Sequence, residues 1–264
     1  MSIGVFDSGL GGLCAVEKLS ALCPEMDIVY FGDTARLPYG TRSADAVRRY
    51  AAQDAAFLVE KGVNAILIAC GTASSAALPE LAASVPVPIL GVVEPAAREA
   101  INLSENKKIG VLGTQATIAS RSYEKAIRAL CPEAEIVPVA CPLLVPLVEN
   151  GETGGKLVEL SLSRYLEAPM AAGCDTLLLG CTHYPLLSDA ILSLCPDVKL
   201  ADAGRAGAGA MARLAAERGF AHGEGRVELY TSDFSQGFDT LARRFLNRED
   251  VRFSDEKVAV ETWN

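Results

Sequence analysis

The sequence predicts an α/β fold of two pseudosymmetric domains, each a mainly parallel sheet flanked by helices, with the active site in the cleft between them. Three observations carry this. Short apolar runs of strand length alternate with amphipathic stretches, and the runs are apolar throughout, as strands covered on both faces require. The chain also repeats itself: "IGVFDSG" from Ile3 is answered by "IGVLGTQ" from Ile109, and "CPEMDIVY" from Cys23 by "CPEAEIVP" from Cys131. Finally, "ILIACGTAS" ends an apolar run in Cys70 just as "LLLGCTHYP" ends one in Cys181. The three separations, 106, 108 and 111 residues, drift so little that duplication explains them better than chance.

The elements follow in order. "IGVF" opens a first strand and a helix spans about 12–22. "DIVYFG" then precedes a helix over 43–61, and "AILIAC" one over 74–83. "PILGVV" leads into a helix over 95–104, and "KIGVLG" begins the second half. There "EIVPVA", a helix over 155–172, "TLLLGC", a helix over 185–194 and "VKLADAG" repeat the theme.

Composition bounds the function. A chain of 264 residues, half of them hydrophobic, can bury one large core or two ordinary ones. The net charge of −9, with 24 Lys+Arg and no basic block, offers no grip for a polyanion, so no nucleic acid substrate is expected. The start "MSIGVFDSG" carries no basic leader, and no apolar run is long enough to span a bilayer, so the expected location is cytoplasmic, with no membrane partner. Eight cysteines lack C-x-x-C spacing and the histidines are only His183 and His222, which argues against a metal site. Cys14, Cys23, Cys131, Cys141, Cys174 and Cys195 read as small, partly buried hydrophobes.

Cys70 and Cys181 read differently, because ligands of such sheets collect beyond the carboxyl ends of the strands. An approximate twofold would bring the two thiols to one cleft from opposite sides. Inversion of a stereocentre needs that arrangement: one group removes a proton while the other delivers one from the far side. A thiol titrates close enough to neutrality for both roles, and a helix amino terminus after each cysteine would favour its thiolate. Thr72 and Thr182 could cap those helices or bind a carboxylate. Asp7, at the end of the first strand where a core residue should be apolar, reads as a site carboxylate, with Ser8 and a glycine-rich turn after it. The competing reading of that turn, a dinucleotide fingerprint, is weak because Cys14 stands in place of the third glycine. His183 could assist Cys181. Glu149 reads as a loop carboxylate, and "LPYGTR" as a tight turn whose N–H groups, with the Tyr39 and Thr41 hydroxyls, could hold a carboxylate.

Taken together, "FDSGLGG", "YFGDTARLPYG", "ACGTAS", "GVVEPA", "GTQATIASRSY", "VENG" and "GCTHYPLL" resemble the glutamate racemases over essentially the whole chain. The resemblance implies a racemase that needs no cofactor, acts on glutamate, supplies D-glutamate for peptidoglycan, and in this family often forms a homodimer. It implies that Cys70 takes the α-proton of D-glutamate with Asp7 assisting. Cys181 would take that of L-glutamate, with His183 and, behind it, Glu149 assisting. Substrate contacts would map onto Asp7, Ser8, Tyr39, Gly40, Thr72, Thr182 and His183, and the same motifs add Pro38, Thr41, Gly71, Thr114 and Thr117. It further implies that the chain returns late to its first domain, giving 1–94 with 208–264 as one domain and 95–207 as the other. Gly71 departs from the family, which has asparagine after the first cysteine. The expectation is a lost hydrogen bond, offset by a water in the space glycine leaves. Two alternatives accompany this reading: a related racemase of aspartate or another amino acid, and a ligand-binding homologue whose turnover Gly71 impairs.

Overall fold

The computed structural model describes residues 1–220, 223–233, 242, 243, 245, 246 and 252–260; the rest of the predicted 208–264 return lies outside the described residues. Two sheets organise the chain. The first contains β1 (Ser2–Asp7), β2 (Asp27–Gly32), β3 (Ala65–Ile68) and β4 (Ile89–Gly91) in the order β2-β1-β3-β4. The second contains β5 (Lys108–Gly113), β6 (Glu135–Ala140), β7 (Thr176–Leu179) and β8 (Lys199–Asp202) in the order β6-β5-β7-β8. The orders are the same, and the registers correspond: Ile3 pairs with Ile28 and Ala65 as Ile109 pairs with Ile136 and Thr176. The repeat read from the sequence is therefore a repeat of topology. The first sheet is then extended past β2 by β9 (Val227–Thr231) and β10 (Arg252–Lys257), and every described pairing is parallel.

Burial on both faces explains the unbroken apolar runs. In β1, Ile3 and Val5 join one core cluster with α1 (Leu13–Leu22), while Phe6 joins another with α2 (Ala44–Glu60). The helices α3 (Gly71–Ser84), α4 (Val93–Leu103) and α8 (Lys156–Ala171) fall close to their expected places. α2 starts where the Ser43 hydroxyl accepts the Ala46 N–H, and α10 (Ala203–Glu217) where Asp202 accepts those of Gly204 and Arg205.

Some of these expectations need correction. The helix expected over 185–194 is a 3₁₀ turn at Tyr184–Leu187 followed by α9 (Ser188–Leu194). Among the described residues, α5 (Gln115–Ser120), α6 (Ser122–Leu130), α7 (Leu144–Glu149) and α10 were not anticipated. The "AGRAGAGAMARLAAE" of α10 lacks a bulky apolar stripe because it packs by close approach, with a β-carbon on Gly207 falling 2.7 Å from Val92.

Candidate active site

The third strand of each repeat delivers one thiol. Cys70 follows β3 and caps α3, its sulfur accepting the Ala73 N–H at 3.4 Å, and its S–H points to Ser8 Oγ at 3.6 Å. Cys181 follows β7, with its sulfur 3.8 Å from His183 Nδ1. Both are buried, and both line one cavity of about 20 Å³, together with Ser8, Leu37–Gly40, Gly71, Thr72, Thr114, Val145, Thr182 and His183. That is room for about one water, too little for an amino acid in this conformation. A larger groove of about 740 Å³, between α1, α4 and α10, contains no thiol and shares no residue with this cavity.

Hydrogen bonds join the two sides. His183 Nε2 pairs with Glu149 Oε1, while Nδ1 lies 3.4 Å from Thr182 Oγ1, which itself donates to Asp7 Oδ1 at 3.4 Å. The other Asp7 oxygen accepts the N–H groups of Gly9 and Gly12, each at 3.1 Å. The donors that a pyrophosphate would use in the glycine-rich turn are thus aimed at a carboxylate of the same turn. Opposite, the hydroxyls of Thr72, Thr114 and Thr117 form a triangle with sides of 2.9–3.1 Å, linking α3 to the start of α5.

Burial dominates the electrostatics. It raises the Cys70 thiol to about 12, helped by the Asp7 charge and opposed by the Ala73 N–H and the Ser8 hydroxyl. The Ala73 N–H at the helix amino terminus does favour the Cys70 thiolate, but burial outweighs it. Burial likewise raises the Asp7 carboxyl, with the His183 charge and the Gly12 and Gly9 N–H groups opposing. For His183 burial works against the cation, but the Cys181 sulfur and Glu149 outweigh it and raise the imidazole to about 10. A cation held there would stabilise negative charge developing on the adjacent sulfur.

Several expectations fail in detail. Thr72 and Thr182 do not cap: Cys70 caps α3 itself, Thr72 bonds to the α5 threonines, and the 3₁₀ turn after Cys181 has no side-chain cap. The Tyr39 hydroxyl does not face the cavity, since it lies within hydrogen-bond reach of the buried carboxyl groups of Asp33 and Asp54, which also hold Arg36. Of this turn, Leu37, Pro38, Tyr39 and Gly40 line the cavity; Thr41 opens onto a neighbouring one of about 70 Å³ that shares Pro38, Gly40, Thr114 and Val145. Glu149 stands at the carboxyl end of α7, not in a loop. The space beside Gly71 is not free for water, because the Gly180 carbonyl oxygen lies 2.1 Å from where a β-carbon would be. Sequence reasoning missed Leu37, Val145 and Gly180; the last had a signal in its place directly before Cys181, whereas Val145 had none. The other six cysteines are free thiols, buried or half-buried as expected.

Two repeated α/β halves closing on a pair of buried thiols suit an acid and a base acting from opposite sides, and the chain belongs to the Asp/Glu/Hydantoin racemase family, whose model matches residues 14–211. Among its relatives it is 42% identical to the glutamate racemase of Geobacter metallireducens, covering 93% of this chain and 92% of the relative. It is 44% identical to that of Thermus thermophilus, covering 94% of each. The glutamate racemase of Francisella tularensis in complex with D-glutamate superimposes with a TM-score of 0.91 at 34% identity, covering 99% of this chain and 98% of that one.

Proposed function

We propose that this chain interconverts L-glutamate and D-glutamate by transferring the α-proton between two cysteines. The observation that carries the reading is the placement of Cys70 and Cys181, from equivalent strand ends of the repeat, on one cavity. From L-glutamate, the Cys181 thiolate takes the α-proton, leaving the electron pair on Cα and delocalised into the carboxylate. The Cys70 S–H then delivers its proton to the opposite face, giving D-glutamate, a Cys181 thiol and a Cys70 thiolate. From D-glutamate the steps run in reverse. No group beyond the side chains and the substrate is needed to balance these steps.

The supporting residues divide between the thiols. His183, oriented by Glu149, stabilises charge on Cys181, and Asp7 with Ser8 serves Cys70. The backbone at Pro38–Gly40, with Gly71, Thr72, Thr114, Thr117 and Thr182, forms the substrate's polar surroundings, and Thr41 lies at the approach. The domain division supporting this site is 1–94 with 208–264 against 95–207. Among the described residues no helix is long and apolar enough to cross a membrane. Supply of D-glutamate for peptidoglycan in the cytoplasm, and assembly as a homodimer, complete the reading.

The test is an initial-rate comparison of the purified chain, without added cofactor, on L-glutamate and L-aspartate by polarimetry. Faster loss of rotation from glutamate is expected. Preference for aspartate would instead transfer the same chemistry to a shorter substrate, and binding without turnover would make the chain a ligand-binding homologue.

A further inference from the structure

His183 is held on three sides, and the proposed reaction uses only two of them. Nε2 faces Glu149 of α7, and Nδ1 faces Cys181 and Thr182 of its own turn. The third neighbour is Phe245, whose ring stands at 86° to the imidazole with centroids 5.6 Å apart. Phe245 is buried, and in the chain it falls between β9 and β10, the strands that extend the six-stranded sheet. His183, Cys181 and Glu149 belong to the other repeat. A residue of the late return thus rests on the imidazole that serves the second thiol.

Perpendicular packing of two rings favours one tilt of the imidazole. A hydrocarbon ring also covers that side of the buried imidazole, where water would otherwise stand. The titratable groups facing His183 are Asp7 from β1, Glu149 from α7 and Cys181 beside it. Phe245 adds no charge and no hydrogen bond, so any effect it has on proton transfer acts through orientation and dryness. Resting on the function proposed above, we propose that Phe245 is a positioning residue for the Cys181 half of the reaction, holding His183 where it spans Glu149 and the Cys181 sulfur.

Ordinary rates cannot locate such an effect. The equilibrium constant of a racemisation is one, so kcat/KM must fall equally in both directions whichever thiol is impaired. Isotope effects do separate the two transfers. Phe245→Leu keeps an apolar filler, and Phe245→Tyr keeps the ring. The α-deuterium effect on kcat/KM is measured for each variant from L-glutamate and from D-glutamate. For Phe245→Leu the expected result is a fall of about tenfold in kcat/KM, a larger isotope effect from L-glutamate and a smaller one from D-glutamate. Phe245→Tyr should stay close to the native values. An unchanged rate, or a lower rate with both isotope effects moving together, would overturn the proposal by reducing Phe245 to packing. A native chain that does not racemise glutamate would overturn the underlying reading, and this one with it.

Discussion

Gly71 and Gly180, one residue from each thiol, meet backbone to backbone: a β-carbon on Gly71 would lie 2.1 Å from the Gly180 carbonyl oxygen. Gly11 makes a similar approach, its β-carbon position falling 2.3 Å from Thr182 Oγ1. The closed cleft therefore depends on side chains that are absent. Gly71→Ala must move the Gly180 carbonyl and part the halves, which is expected to destabilise the chain by about 1–3 kcal/mol in urea denaturation. Unchanged stability would mean that the halves do not close this far in solution.

The Tyr39 hydroxyl serves the scaffold. It sits within hydrogen-bond reach of both Asp33 and Asp54, two buried carboxyl groups that share Arg36, and Asp33 also accepts the Ser232 hydroxyl at 2.9 Å, tying in the segment after β9. Tyr39→Phe should therefore cost about 1–3 kcal/mol of stability while leaving KM for glutamate within about twofold. A large rise in KM with stability unchanged would place the hydroxyl on the substrate instead.

The contrast between Tyr39 and Cys70 shows what the sequence made legible. Unbroken apolar runs and a drifting repeat were enough for the parallel sheets, because burial on both faces leaves a pattern that does not depend on the partner strand. The ends of those runs located Asp7, Cys70 and Cys181 for the same reason. A tyrosine in a polar loop carries no such sign of direction, and its hydroxyl turned towards Asp54, fifteen residues on. Nor could local pattern find Phe245, which meets His183 only through the return of the chain, or the short α5 and α7, whose six residues each are too few for a helical period to emerge.

His183 gives the fold a pH signature. Its folded pKa is raised from 6.5 to about 10, so the bound proton stabilises the native state. That contribution is complete below about 6.5, the unfolded value, and is lost as pH rises through about 10. Between these limits the native chain should lose on the order of a few kcal/mol more stability than His183→Gln, measured by urea titration at a series of pH values. Parallel curves for the two proteins would show that no proton is held there.

In the proposed scheme each turnover uses both thiols, so neither can stand in for the other. Cys70→Ala and Cys181→Ala should each lower racemisation by at least ~10³-fold, with circular dichroism spectra that match the native chain. Near-normal activity in either variant would rule out the scheme.

The central claim is that protons leave and arrive on opposite faces from different sulfurs, and the early time course in D2O tests it most directly. The purified chain is incubated with L-glutamate, and both enantiomers are separated and assayed for deuterium at Cα before a tenth of the substrate has turned over. The account predicts D-glutamate carrying deuterium beside L-glutamate that has kept its proton. Deuterium entering both enantiomers at the same rate from the outset, or D-glutamate that retains the original proton, would contradict it.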